Sequence, residues 1–282
     1  MNTTKIKPIY TICAILLLVV GSNAFGFDNP SELLPAGLVM EDVFKPGPGG
    51  PVGKVEMVEG EVVIIHAGEL TGYRAKKDLP LFTGDTIVTL ETGRIRFKLD
   101  DESILRLSSE TKLVINRSVF DPAKESRSSY FGMSTGKARF WVSKFADFKR
   151  SVFNVKTPTA VCGVRGSDFI NFVTASSTEI TGLEKTVLEV RNLAFPEKKP
   201  IIIKDDIYCS KCGFEQAIVK EGTLRKIRVS PKKVDEMKTL FEIPSETDRP
   251  SEEVATFEET EELFSDIVEG VHQDIMREWP VE

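Results

Sequence analysis

Histidine is almost missing from this chain: His66 and His272 are the only two in 282 residues. A Ser-His-Asp triad therefore has few ways to form. Gly132-Met133-Ser134-Thr135-Gly136 fits the GxSxG nucleophile pattern. That motif needs a strand–turn–helix setting and a histidine base, whereas Lys137 to Val142 reads as a strand, so the match is taken as chance. Neither a P-loop nor a dinucleotide fingerprint occurs, and nothing in the chain calls for a cofactor. Long apolar runs are scarce as well. The longest, Ile9 to Val20, falls short of the roughly 20 residues that span a bilayer, so no membrane span is expected in the chain that follows it. A dense basic face is also lacking: 37 basic and 43 acidic residues give a net charge of −6, which argues against nucleic-acid binding.

Cysteine is sparse too, with Cys13, Cys162, Cys209 and Cys212. A structural zinc site needs four ligands, and the three thiols beyond Cys13 have only the distant His66 or His272 to join them, so no metal is expected. Cys209-Ser210-Lys211-Cys212 is a CxxC motif followed by Gly213, which excludes the c-type haem pattern. In an oxidising compartment the pair can close a small disulfide at a hairpin tip. A redox dithiol is the alternative, although such motifs usually sit at a helix N-terminus in a βαβ setting, and strands flank this one. The isolated Cys162 reads as a buried, inert thiol.

Lys5 and Lys7, the apolar run Ile9 to Val20, and Gly21-Ser22-Asn23-Ala24 form the pattern of a secretory signal peptide, with cleavage expected after Ala24. The expected organisation is a signal peptide over 1–24, a Pro/Gly-rich linker over 25–51 and β structure over 52–230. Within 25–51, Leu33, Leu34 and Leu38 hint at a helix that Pro35 and Gly37 weaken. A helical, acidic tail occupies 231–282. From residue 242 onward there are 14 acidic and 2 basic residues, net −12, while residues 25–241 carry net +4. A mildly basic body and an acidic tail can attract one another, or the tail can attract a cationic partner.

From Val52 onward short β-rich runs alternate with turn residues. Arg94-Ile95-Arg96-Phe97-Lys98-Leu99 sets charged against apolar side chains with a period of two, which places one face in a core and one in water. Similar runs cover Lys54–Val58, Glu61–His66, Thr86–Leu90, Ser103–Leu107, Lys112–Ile115 and Ala138–Val142. They continue through Glu179–Ile180, Thr186–Val190, Pro200–Tyr208, Glu215–Val219 and Leu224–Val229. Strands at this spacing suggest a sandwich, barrel or coiled roll. At Asp100-Asp101-Glu102 a tight hairpin is not expected, because Glu102 tolerates positive φ poorly. The polar run Lys124 to Ser129 reads as a surface loop. Phe140, Trp141, Phe145, Phe148 and Phe153 read as core. Ser230-Pro231 starts a short helix with Val234, Met237, Leu240 and Phe241 on one stripe. Beyond Pro250, Val254, Phe257, Phe264, Ile267, Val268, Val271 and Ile275 share the apolar face of a longer acidic helix.

The chain is organised around Val152 to Val173. A strand runs up to Thr157, and Pro158 removes a backbone donor and interrupts pairing. Gly163 and Gly166 then bracket Arg165, which reads as a buried tie between strands through Asp168. The run Thr157 to Phe169, TPTAVCGVRGSDF, resembles the C-terminal signature of the FecR-type domain, a β-rich module that bacteria use outside the cytoplasm. The resemblance extends back through Ser134 to Ala138, Arg94 to Leu107, Leu81 to Ile87 and Gly60-Glu61-Val62, to about Val52. At Asp100-Asp101-Glu102 the chain departs from the family's Asp-Gly-Ser.

The resemblance implies a mainly β, FecR-type antiparallel roll or sandwich over 52–174, extended by 175–230 and carrying the C-terminal amphipathic acidic helix. It implies a non-enzymatic interaction module of the bacterial envelope with a sensory or signalling use, periplasmic or secreted, whose partner is an envelope protein or glycan. The regulators in which this domain is best known carry a cytoplasmic anti-sigma segment and a membrane span before it, and neither is read here. The irregular region Thr157 to Asp168, with Thr157, Pro158, Arg165, Ser167 and Asp168, is the first candidate for binding through a sheet edge. An envelope thiol-disulfide protein using Cys209 and Cys212 is the alternative.

Overall fold

The computed structural model describes residues 33–145, 147–183, 186–205 and 213–244. The apolar run Ile9–Val20, the Cys209/Cys212 pair, His272 and the acidic segment from Pro250 lie outside the described residues. The first six strands are β1 (Val39–Glu41), β2 (Pro51–Glu59), β3 (Val62–Ile65), β4 (Thr71–Arg74), β5 (Pro80–Phe82) and β6 (Thr86–Thr89). β7 (Arg94–Leu99), β8 (Ile104–Leu107), β9 (Thr111–Asp121) and β10 (Ser126–Val142) follow. The rest are β11 (Arg150–Lys156), β12 (Ala160–Val164), β13 (Ser167–Val173), β14 (Ser177–Gly182), β15 (Thr186–Asn192), β16 (Ile201–Asp205), β17 (Phe214–Lys220) and β18 (Thr223–Val229). One helix, α1 (Pro231–Thr239), closes the described chain.

The fold is mainly β, and its strands form a continuous hydrogen-bonded network folded into two layers. In the first layer the order is β1-β4-β3-β6-β9-β10-β11-β12-β15-β16. In the second it is β5-β2-β7-β8-β10-β13-β14-β17-β18. The ladders are antiparallel except β1 with β4 and β10 with β11, which are parallel. After β10 the hairpins alternate between layers, so β14 and β15 extend the ladders begun by β13 and β12.

β10 is 17 residues long and belongs to both layers. Ser126 to Thr135 pair with β9, and Gly136 to Val142 pair with β8 and β13. The strand changes layer at Gly136, whose φ is +101° and where an added Cβ would fall 2.4 Å from Thr111 Cα. Only glycine fits that bend. The expected loop over Lys124 to Ser129 is therefore shorter than the sequence suggests. A turn capped by the Asp121 side chain on Lys124 N ends at Glu125, and Ser126 onward is strand.

Period-two alternation fills the space between the layers. Ile95, Phe97 and Leu99 of β7 are buried, while Arg94, Arg96 and Lys98 point outward. Phe140 and Phe169 stack at 4.9 Å between ring centroids, and Phe131 meets Phe153 at 5.1 Å. Each such buried ring contributes roughly 1.5–3 kcal/mol through the area it removes from water.

Both outer faces are partly covered. Leu33, Leu34 and Leu38 form no helix; they pack on Val63, Ile65 and Val88 of the first layer. Part of the stretch read as a linker thus supplies β1 and an apolar cover. On the second layer, Val234 and Met237 of α1 and Phe241 just beyond it pack against Ile170 and Leu183, with Leu240 beside them. Ser230 Oγ accepts from Lys233 N at 3.3 Å and caps it, as the sequence reads.

Candidate interaction surface

The residues singled out in Thr157 to Asp168 do not gather into one site. Ala160 to Val164 is the regular strand β12, paired with β11 on one side and β15 on the other. It is an interior strand, so the expectation of an irregular region binding through a sheet edge is corrected. Pro158 does end β11, in the turn where Thr157 N donates to Ala160 O at 2.9 Å. Thr157 is buried and its hydroxyl lies 2.7 Å from Thr178 Oγ1, to which Thr159 Oγ1 also donates at 2.7 Å. Ser167 Oγ donates to Val187 O at 3.1 Å and accepts from Val187 N at 3.0 Å. These hydroxyls tie one layer to the other. Pro158 and Arg165 are exposed, but they lie beyond opposite ends of β12, whose five residues span about 16 Å.

Arg165 is not the buried tie the sequence suggests. It sits in the exposed bend between β12 and β13, where Gly166 takes φ +89° against Lys144. Asp168 instead binds Arg139 of β10 through two contacts, Nε to Oδ1 at 3.0 Å and Nη2 to Oδ2 at 2.7 Å. The neighbouring strand, not the nearest arginine in sequence, supplies the partner. Local spacing cannot show this.

Two ionisable clusters are consumed by the interior. Arg127, in the run expected to be a loop, is fully buried on β10. Its Nη1 lies 3.2 Å from Asp101 Oδ2 and donates to Ser143 O at 2.8 Å, its Nη2 donates to Ser151 Oγ at 2.9 Å, and its plane lies over Phe145 and Phe153. Burial lowers its pKa and Asp101 opposes the shift. Asp101 Oδ1 also accepts from Ser103 N at 3.0 Å, which holds the hairpin expected to be unfavourable, with Glu102 at φ +65°. The second cluster is His66 with Asp85. Nδ1 lies 2.7 Å from Asp85 Oδ1, and Nε2 lies 2.8 Å from Lys45 O. A carbonyl can only accept, so Nε2 carries a proton and the Nδ1–Asp85 contact shares another. Burial pushes the Asp85 carboxyl above its ordinary range, opposed by His66 and the Phe82 N–H.

Both nitrogens of His66 are thus committed, and Ser134 stands exposed in mid-strand of β10, not on a strand-to-helix elbow. A groove of about 670 Å³ lies at the bend of β10, with Ser134, Lys137, Phe172 and Glu179 in its walls. Cys162 is buried in the core, and burial pushes its thiol pKa up. Among the described residues no group of three or more His, Cys, Asp or Glu could hold a metal ion. Nor is any described helix long and apolar enough to cross a membrane.

Chemistry is left over on the outer face of the second layer. Trp141, read as core, is 49% exposed, because it follows the buried Phe140 on a strand and must face the other way. Register places Arg96 opposite Arg106, and Arg106 opposite Arg139. One step along the same strands lie Lys98, Ile104 and Trp141 in adjacent positions. Ile104, Arg106, Arg139 and Trp141 line a depression of about 200 Å³. Arg96 Nε lies 2.7 Å from Glu56 Oε2, an ion pair whose N–H is not aligned as a hydrogen bond. Arg106 has no ion pair among the described residues. Burial and the neighbouring Arg139 and Arg96 lower its pKa. The signal for this surface was in the sequence, as the outward positions of strands whose inward positions were recognised.

Residues 85–188 match the FecR protein family. That stretch is similar to a FecR domain. Asp101, Arg106, Arg127, Arg139, Trp141 and Asp168 all lie within the matched residues. Two crystal structures of a proposed anti-sigma factor from Parabacteroides distasonis ATCC 8503, at 1.65 and 2.50 Å resolution, are similar in fold. Each has 19% sequence identity and a TM-score of 0.40, over 53% of this chain and 62% of the other. The similarity therefore spans less than two thirds of that chain's length. No curated protein matches the sequence.

Proposed function

We propose that the chain is a non-enzymatic interaction module of the bacterial cell envelope, exported by its first 24 residues. Its FecR domain binds another envelope protein through the outer face of the second layer, in a sensory or signalling role. The observation that carries this reading is the pairing of an exposed indole, Trp141, with an under-neutralised guanidinium, Arg106, within the residues that match the FecR family. Tryptophan and arginine dominate the energetic centres of protein interfaces, because each combines apolar area with directed hydrogen bonding. A partner carboxylate set on Arg106 would relieve its contact with two like charges while the indole is covered. The commitment of His66, Arg127 and Asp101 to structural ties supports a role without catalysis.

A photo-crosslinking amino acid in place of Trp141, introduced in cells, tests this. The expected result is a discrete adduct with one envelope protein, from a chain whose mature N-terminus is Phe25. The same residue in place of Pro158 should give none. A periodate-sensitive adduct would move the reading from protein to glycan. No envelope adduct, with the chain retained in the cytoplasm, would overturn it.

A further inference from the structure

The row Arg96–Arg106–Arg139 is an unfavourable arrangement for an isolated sheet. Like charges placed directly opposite one another across strands repel, and Glu56 and Asp168 pair directly with the two outer members while reaching Arg106 only through space. The position of Arg106 faces outward, so a neutral polar side chain would fit the same strand. Beside the row, Ile104 and Trp141 form an apolar strip. A ligand that suits this face has a narrow apolar ridge with carboxylates along its flank.

The chain itself contains such a segment. Residues 251–282 hold 11 acidic residues and one basic residue, Arg277, and at helical spacing Phe257, Phe264, Ile267, Val268, Val271 and Ile275 fall on one side. The described chain also ends in the right place. α1 packs on Ile170 of β13, and Ile170 stands directly opposite Arg139 on β10. From β13 to β7 is three strand spacings, about 14 Å. The six residues 245–250 reach up to about 20 Å when extended, so residue 251 can begin anywhere along the row.

We propose that the acidic C-terminal segment, residues 251–282, docks on the face formed by Ile104, Arg106, Arg139 and Trp141. Its apolar side covers Ile104 and Trp141, and its carboxylates neutralise Arg106. A short tether gives such a segment an effective concentration in the millimolar range, so modest contacts suffice to hold it. The contact stands on the geometry of this face and not on the envelope role; an outside partner would have to displace the segment to reach Trp141.

The test uses the purified chain carrying Trp279→Phe, which leaves Trp141 as its only tryptophan. Acrylamide quenching then reports how well Trp141 is covered. The expected result is weak quenching that rises at least about threefold on adding Arg106→Glu, or in about 1 M salt, where charge pairs are screened. Arg106→Glu places a carboxylate between Arg96 and Arg139, so its melting temperature should equal or exceed that of the parent. A released Trp141 is then not a symptom of unfolding. Equal quenching with and without Arg106→Glu would overturn the proposal. So would shielding that appears only as protein concentration is raised, which would assign the face to a second copy. Neither result depends on cell extracts, so a failed envelope crosslink and a failed tail contact are distinguishable.

Discussion

Arg127 and Arg106 both lie on strands within the residues that match the FecR family and are treated in opposite ways. Arg127 has lost all contact with water and meets a carboxylate, a backbone carbonyl, a serine hydroxyl and two aromatic rings. Arg106 is half-buried between two other arginines and has no ion pair among the described residues. A buried charge must be answered inside the fold, whereas a charge at the surface can be left for something else to answer. The first arrangement serves stability, and the second underlies the recognition proposed above.

The interior half of the comparison should give the largest effects. Asp101→Ala leaves Arg127 without its carboxylate and should cost about 3–5 kcal/mol in urea denaturation, with Arg127→Met plus Asp101→Leu restoring most of it. A loss well under this range would mean that the carbonyl and hydroxyl acceptors already suffice. Next comes Cys162, an interior group that stays neutral instead of finding a partner. Its ordinary pKa is 9.0 and burial raises it in the folded state. A raised folded-state pKa means that the thiol's contribution is fully present below the unfolded value and is lost as pH rises through the folded one. Stability should therefore fall above pH 9, by up to about 1.4 kcal/mol per pH unit, and the fall should be shallower in Cys162→Ala.

A smaller effect is expected at Glu102, held at φ +65° by the Asp101 tie. Glu102→Gly should raise stability by roughly 1 kcal/mol, since only the left-handed strain and an exposed ion pair with Lys98 are removed. No gain would show that the tie relieves the strain completely. The surface half comes last. Arg106→Gln should destabilise the full chain by about 0.5 kcal/mol at low salt, because the docked tail answers Arg106, and the difference should shrink as salt screens the pair. A gain in stability instead would mean that the arginine row is left unanswered and the tail does not dock.

Much of the fold was legible because it is written in period two. Arg94 to Leu99 shows its buried and exposed faces in the order of its letters, and Ser230-Pro231 marks the start of α1. What escaped depends on contacts between distant residues. Arg127 sits in a polar run whose strand character comes from β9 and β11, and its partners lie 16 to 26 positions away. Gly132 and Gly136 look like turn signals, yet Gly136 lets one strand pass from layer to layer. Asp168 pairs with Arg139, 29 residues away, not with Arg165. Trp141 is different, because the alternation beginning at Phe140 already pointed it outward, and a general preference for burying aromatics concealed it.

The strand shared by both layers has a mechanical consequence. β10 is stitched to β8, β9, β11 and β13. The two layers therefore cannot be parted without breaking the ladders of β10 itself, so separation of one layer from the other should coincide with loss of the interior and not precede it.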